Sequence, residues 1–207
     1  MNPTPMKPWL RRAIFALLAG LAIYGLWPRT ALRHAPGVLV ASEPEQHLIP
    51  ARLLGEVHGF KLTALATYAL QARVLHTKRY WAQGSELVPY DVALGWGRMS
   101  DQAVLDQLSV AQSNRFFFYE WRNAPPIPEK EIVCHAANNH LIAATPQVAA
   151  VISRLRAGQV VKLRGYLVNA AKPDGFRWST SLSRTDTGNG ACELFYVEAV
   201  QAEDDVI

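Results

Sequence analysis

The feature that most constrains the fold is an apolar residue at every even position from 60 to 74, with polar residues at most positions between. A period of two places one set of side chains on a single face of a β-strand. The apolar set is Phe60, Leu62, Ala64, Ala66, Tyr68, Leu70, Ala72 and Val74. We therefore expect a long amphipathic strand, which usually bends, as it would in a small β-barrel.

Other segments predict further strands and two helices. The additional strands are expected over residues 115–121, 131–137, 159–168, 176–183 and 191–200. Residues 100–112 predict a helix capped by Ser100, and residues 146–157 predict a second helix that Thr145 caps and Gly158 stops. Strands, a helix and then more strands is the order of an OB-type barrel. We predict an α+β domain with a small OB-like β-barrel, about six strands and two helices.

The N-terminal segment predicts a membrane anchor. Residues 13–27 are uncharged and mostly apolar, basic residues precede them, and Trp9 and Trp27 bracket them. We expect a single-pass membrane helix over residues 9–27, after a basic cytoplasmic tail over residues 1–8. A cleaved signal peptide and a buried helix are the alternatives.

The rest of the chain is predicted to lie outside the cytoplasm. Residues 28–50 contain four prolines and predict an extended tether. Residues 51–207 then form one exported domain. The expected location is the bacterial inner membrane, held through residues 9–27, with the C-terminal domain in the periplasm or outside the cell.

The charge distribution argues against nucleic-acid binding. The pI is about 9.2, but the first 34 residues hold five basic residues and no acidic one. From residue 35 onward there are 16 Lys and Arg against 17 Asp and Glu, a net charge of −1. Phosphate recognition needs a basic surface, so we predict that the domain binds no nucleic acid.

The chain has two cysteines, Cys134 and Cys192. In an exported domain a pair of cysteines most often forms a disulfide, and we predict one here. Two free thiols or a metal or redox site are the alternatives. Neighbouring strand residues point to opposite faces, so Cys134 and His135 should not ligate one metal ion, and we predict neither a metal nor a cofactor.

Two loops contain polar and aromatic candidates for a binding site. Asn139 and His140 could bind a ligand or act as an acid and base, but they could also serve a turn, with Asn138 and Asn139 as turn residues. Trp96 and Arg98 could hold the face and the anion of a ligand, or Trp96 could be a lid over the barrel. In both loops the structural interpretation is preferred.

The stretch from Trp178 to Glu193 is rich in hydroxyls but contains no GxSxG nucleophile motif. Its glycines suit a hairpin loop with positive φ, and we expect Arg184 and Asp186 to form a local ion pair. If the domain has a binding site, the candidates are Trp96, Arg98, Asn139, His140, Trp178, Arg184 and Asp186. No catalytic residue is assigned.

Four motifs together resemble an uncharacterised family of bacterial membrane-anchored exported proteins. They span about residues 60–200 and read YDVALGWGRMSD, CHAANNHLIAA, VVKLRGYLV and WSTSLSRTDTGNGACE. The resemblance implies a bacterial exported protein and supplies no catalytic residues. We predict a non-enzymatic interaction or assembly module with an envelope protein as partner. The alternative is an envelope hydrolase with a site near His140, Trp96 and Trp178.

Overall fold

The computed structural model describes residues 7, 10–12, 14–16, 30–82 and 84–203, and it divides into two units, Met1–Thr30 and Ala31–Ile207. In the first unit, residues 10–12 and 14–16 are helical. No helix among the described residues has the length and apolar character needed to span a bilayer. Most of the predicted anchor, residues 9–27, lies outside the described residues.

The second unit is mostly β sheet with a few short helices, which confirms the α+β class. Its strands are β1 (Glu45–Val57), β2 (Phe60–Arg79), β3 (Tyr90–Gly95), β4 (Leu108–Ser113), β5 (Phe116–Trp121), β6 (Ala136–Ala143), β7 (Val160–Ala171), β8 (Arg177–Trp178) and β9 (Glu193–Ala202). Its helices are a 3₁₀ turn (Gly97–Ser100), α1 (Gln102–Leu105), α2 (Glu129–Cys134) and α3 (Pro146–Ile152).

Seven strands form one sheet in the order β1-β2-β3-β6-β9-β7-β8, and β2 also pairs with β7. The pair β6 and β9 is parallel, and the other pairs among the described strands are antiparallel. Strands β4 and β5 form a separate hairpin. The long strand β2 is therefore the common neighbour of β1, β3 and β7.

The predicted long strand is confirmed, and β2 continues to Arg79. All eight even-numbered side chains from Phe60 to Val74 are buried. They divide between two apolar clusters, one around Tyr68 and Phe195 and the other around Phe60 and Leu194. The alternation thus fixes which face of β2 packs inward.

The segment predicted to be a free tether is attached to the domain. Leu32 N donates to Ala157 O at 2.8 Å, and Gly97 N donates to Val40 O at 2.8 Å. Val40 is buried in the core, and β1 begins at Glu45. The tether prediction for residues 28–50 is therefore wrong from Leu32 onward, because these residues pair with backbone groups of the domain.

The helix predicted over residues 100–112 is wrong in length and in its cap. Asp101 caps α1 by accepting from Ala103 N at 2.8 Å, whereas Ser100 is buried and its hydroxyl accepts from Val40 N at 3.0 Å. After Leu105 the chain enters β4, because residues 108–113 pair with residues 116–121 across a tight turn. The strand predicted over residues 115–121 is present as β5.

Two other predicted elements change type or length. Residues 131–137 were expected to be a strand, but α2 starts after Pro128, with Glu129 and Glu131 in its first turn, where a helix favours acidic side chains. The strand predicted over residues 176–183 is limited to β8, because the residues after Trp178 are held by side-chain bonds instead. Thr180 N, for example, donates to Asn169 Oδ1 at 3.0 Å.

The remaining predicted elements are found with altered bounds. The strands expected over residues 159–168 and 191–200 are β7 and β9. Thr145 caps α3 as predicted, with its hydroxyl accepting from Val148 N at 3.2 Å, but α3 ends at Ile152 rather than at residue 157.

Gly165 provides a test of the contact between β7 and β9. A β-carbon on Gly165 would collide with the carbonyl oxygen of Tyr196, at the point where the register of the two strands shifts. We expect Gly165→Ala to lower the free energy of unfolding by more than about 3 kcal/mol, because two backbones would have to separate. Urea denaturation measures this change.

Gly175→Ala is the matched control. Gly175 has a φ of +96° but no atom within 4 Å of an added β-carbon. This control should cost only the roughly 1 to 2 kcal/mol of a left-handed non-glycine residue. Equal losses in the two variants would contradict the close approach of β7 and β9.

Candidate functional site

A cavity of about 480 Å³ lies where the tip of the β4–β5 hairpin meets the seven-stranded sheet. Its walls include the hairpin turn, His140 on β6, and residues from the segment between Phe176 and Cys192. We call it the hairpin cavity. Its position brings together three parts of the chain that are distant in sequence.

The hairpin turn places an arginine in the left-handed backbone conformation, which residues other than glycine rarely adopt. Asn114 and Arg115 are the two residues between β4 and β5, and their φ angles are +51° and +70°. Two-residue hairpin turns in which both residues have positive φ favour Asn or Gly. The left-handed conformation costs a residue such as arginine roughly 1 to 2 kcal/mol. Backbone strain persists only where the surrounding structure imposes it, so the contacts of Arg115 are informative.

The backbone of Arg115 is bonded on both sides. Its N–H donates to the hydroxyl of Tyr80 at 3.1 Å, and its carbonyl accepts from Asn138 Nδ2 at 2.8 Å. The thiol of Cys192 lies 3.7 Å from the same carbonyl. These bonds attach the hairpin tip to β6 and to the start of β9.

A buried carboxylate attracts the Arg115 side chain. Asp91 on β3 is fully buried, and its Oδ1 accepts from Arg115 Nη1 at 2.7 Å. His140, the residue opposite Asp91 on β6, has its Nδ1 2.9 Å from the same oxygen. That nitrogen is not aligned for a hydrogen bond, so Arg115 Nη1 is the donor to Asp91 Oδ1, and Asp91 Oδ2 has no hydrogen-bond partner among the described residues. An unpaired buried charge would be costly, which explains why the strained turn is retained.

Aromatic rings enclose the ion pair. The Arg115 guanidinium lies 4.0 Å from the centre of the Tyr80 ring and 5.4 Å from that of Trp178, within the range of cation–π contacts. The rings of His140 and Trp178 are 4.9 Å apart. Gly84 lies so close to Trp178 that an added β-carbon would come within 3.2 Å of the indole. The indole is therefore held in place and forms part of the cavity wall.

The structure brings only two of the predicted site residues, His140 and Trp178, into this cavity. Trp96 is fully buried in the core, and its Nε1 donates to Glu43 at 2.8 Å. Arg98 lies near Glu131, at 3.5 Å. Neither Trp96 nor Arg98 lines the hairpin cavity.

Asn139 is buried within β6 and does not line the hairpin cavity. The interpretation of Asn138 and Asn139 as turn residues is wrong, because both lie within β6 and are buried. Asn139 Nδ2 donates to Ala137 O at 3.3 Å. Asn138 instead bonds the hairpin tip, as described above.

The expected pair between Arg184 and Asp186 is replaced by other contacts. Arg184 donates to Glu193, to Gln46 and to the hydroxyl of Tyr68, and the last bond measures 3.2 Å. Asp186 accepts from Ser181 Oγ at 2.7 Å. Arg184 reaches a different partner because Glu193 is buried and needs a cation, whereas Asp186 is exposed.

Both cysteines are free thiols in the structure. Cys134 ends α2 and does not lie on the strand that was predicted over residues 131–137. Burial raises the pKa of Cys192 to about 11, which keeps the thiol protonated and unreactive at neutral pH. Among the described residues there is no group of three or more His, Cys, Asp or Glu side chains that could hold a metal ion.

Sequence reasoning missed Asp91, Arg115 and Tyr80. A signal for Asp91 was present, because it is the only charged residue in the run YDVALG, which predicts a buried strand, and a buried carboxylate requires a partner. The sequence SNR, directly before the strand-like run FFFYEW, could have predicted a tight turn. Nothing local identifies Arg115 as the partner of Asp91, since 24 positions separate them.

No family model, curated protein or solved structure matches the chain. The chemistry of the hairpin cavity therefore has to be argued from its own residues.

The buried pair of Glu193 and Arg184 predicts a specific pH dependence of stability. Burial raises the pKa of Glu193 from 4.5 to about 7, although Arg184 opposes the rise. The folded chain then binds this proton more tightly than the unfolded chain does. The contribution of Glu193 to stability is therefore full below pH 4.5 and is lost as the pH rises through about 7. The loss is at most about 3 kcal/mol.

Urea unfolding between pH 4.5 and 8 tests this prediction. We expect Glu193→Gln to remove part of the decline in stability with rising pH, because an amide does not ionise. Glu198→Gln, at an exposed position on the same strand, is the control and should keep the slope of the parent chain. A Glu193→Gln variant with an unchanged slope would contradict the raised pKa.

Proposed function

We propose that this chain is a non-enzymatic binding module of the bacterial envelope, held at the inner membrane through residues 9–27, and that the hairpin cavity is its ligand site. The observation that carries the proposal is the left-handed backbone of Arg115, which a buried ion pair holds at the cavity. Strain of this kind is concentrated at functional sites.

We also propose that the sheet forms an OB-like barrel. In support, β2 pairs with β3, β3 with β6, β6 in parallel with β9, β9 with β7, and β7 with β2. Helix α3 lies between β6 and β7, as the helix of an OB barrel lies between its third and fourth strands. On this correspondence β3 and β6 are the second and third barrel strands, which form the usual binding face. Asp91 and His140 belong to these two strands.

The exposed edge of β1 is a second possible binding surface. Leu48 and Leu53 on this strand are 72% and 64% exposed. However, the strand contains Pro50, and its register against β2 shifts twice. Prolines and bulges are features that keep an edge strand from pairing with another chain. We therefore place the ligand in the hairpin cavity.

An envelope hydrolase is the second candidate, and the 2.9 Å contact between Asp91 and His140 is the observation in its favour. Ser179 lines the same cavity. No hydrogen bond joins Ser179 to His140 among the described residues, and Arg115 competes for the carboxylate that would orient the imidazole. Without an activated nucleophile, the cavity is better suited to binding than to hydrolysis.

Cysteine labelling tests the location and the ligand site together. Ser179→Cys lines the hairpin cavity and Ser153→Cys lies on the exposed end of α3, and each is introduced with Cys134→Ala and Cys192→Ala. We expect both variants to react with a membrane-impermeant maleimide in intact spheroplasts, because the domain is exported. A soluble envelope extract should slow the reaction several-fold in the Ser179→Cys variant only.

Two outcomes would contradict the proposal. Labelling only after lysis would exclude the envelope location. An extract that slows neither reaction, or both equally, would exclude the hairpin cavity as the ligand site.

A further inference from the structure

We infer that the hairpin cavity binds an uncharged saccharide. The inference rests on the proposed binding function and adds the chemical class of the ligand. It follows from which groups of the cavity are free to contact a ligand and which are already bonded within the protein.

The aromatic lining suits the apolar face of a sugar ring. Phe116, Phe176 and Trp178 all line the cavity, and each is partly exposed. A pyranose ring presents C–H groups on its faces, which pack against aromatic rings. Large rigid aromatic side chains supply such contact area at little cost in entropy.

The polar lining suits hydroxyl groups. Asn114, Ser179 and Asn189 are uncharged, exposed side chains at the cavity, and together they offer both hydrogen-bond donors and acceptors. A sugar hydroxyl also donates and accepts, so it pairs with such groups in either direction. A ligand with only acceptors, such as a phosphate, would use half of this capacity.

One of the two arginines of the cavity has its charge balanced within the protein. Asp91 balances the charge of Arg115, although Arg115 Nη2 has no hydrogen-bond partner among the described residues. Arg177 donates to the carbonyls of Lys172 and Phe176 at 3.1 and 2.9 Å, and these neutral acceptors hold the guanidinium without balancing its charge. Recognition of a polyanion needs several cations whose charge is not balanced within the protein, and Arg177 is the one such arginine in the lining of this cavity. The net charge of −1 from residue 35 onward agrees with this argument. Nucleotides and other polyphosphates are therefore disfavoured.

A purely apolar ligand is disfavoured by the polar lining. The structure contains a more apolar cavity of about 330 Å³ beside α3, lined by residues such as Leu141, Ile142 and Ile152. Compared with it, the hairpin cavity has more polar side chains, and its 480 Å³ falls within the roughly 300 to 1,000 Å³ of small-molecule sites. The remaining class is a polar, uncharged ligand with an apolar face.

Calorimetric titration of the full-length chain in detergent tests the inference. The probes are chitotetraose, cellotetraose and maltotetraose, with oligo(dT), ATP and tetra-alanine as comparison ligands. We expect saturable binding of at least one tetrasaccharide at about 150 mM salt. Trp178→Ala should weaken this binding at least tenfold.

Trp81→Ala is the matched control, because Trp81 is 77% exposed and does not line the cavity. It should leave the affinity within twofold of the parent chain. Asn114→Gly is a second cavity variant that keeps the left-handed turn and should therefore fold. It should weaken binding several-fold even if Trp178→Ala proves unstable.

The outcomes separate the inference from the proposed function. If no tetrasaccharide binds, or if Asn114→Gly and Trp178→Ala bind as the parent does, the saccharide assignment is wrong. If a comparison ligand binds instead and depends on Trp178, the cavity is a binding site for another class of ligand. In that case the proposed function stands and the inference falls.

Discussion

The burial of one carboxylate, that of Asp91, determines how the parts around the cavity fit together. Asp91 is fully buried on β3, and the residues that follow it on this strand are buried as well, so water cannot compensate its charge. Arg115 supplies the compensation from the tip of a separate hairpin, and His140 lies beside it on the next strand. The hairpin, β3 and β6 thus depend on one another, and the cavity exists where they meet.

The elements that could be predicted from the sequence are those determined by interactions between residues close together in the chain. Local patterns predicted β2 and the start of α3, because alternation and capping act over a few residues. The helix expected over residues 100–112 fails because residues 108–113 find a strand partner across the hairpin turn. β1 was missed because Pro50 and an irregular register conceal the alternation, and its pairing with β2 decides its structure. Tertiary context overrode local preference in both cases.

The candidate site was harder to predict for the same reason. His140 and Trp178 attract attention by residue type alone, and the structure brings them within 4.9 Å. Arg115 and Asp91 become informative only as a pair, and pairing across 24 positions is a property of the folded chain. Trp96 has an equally suggestive sequence context, but its indole is buried and bonded to Glu43. Residue type therefore indicated which side chains could form a site, and the buried pair of Asp91 and Arg115 shows which of them lie together at the cavity.

The central claim is that the bond between Asp91 and Arg115 attaches the hairpin to the sheet. A double-mutant cycle with Asp91→Asn and Arg115→Met, measured by urea unfolding at pH 7, tests it most directly. We expect the two substitutions to be strongly non-additive, with a coupling energy above about 2 kcal/mol, because each single change leaves a buried group without its partner. A coupling energy below about 0.5 kcal/mol, the level expected of independent sites, would mean that this bond does not attach the hairpin to the sheet.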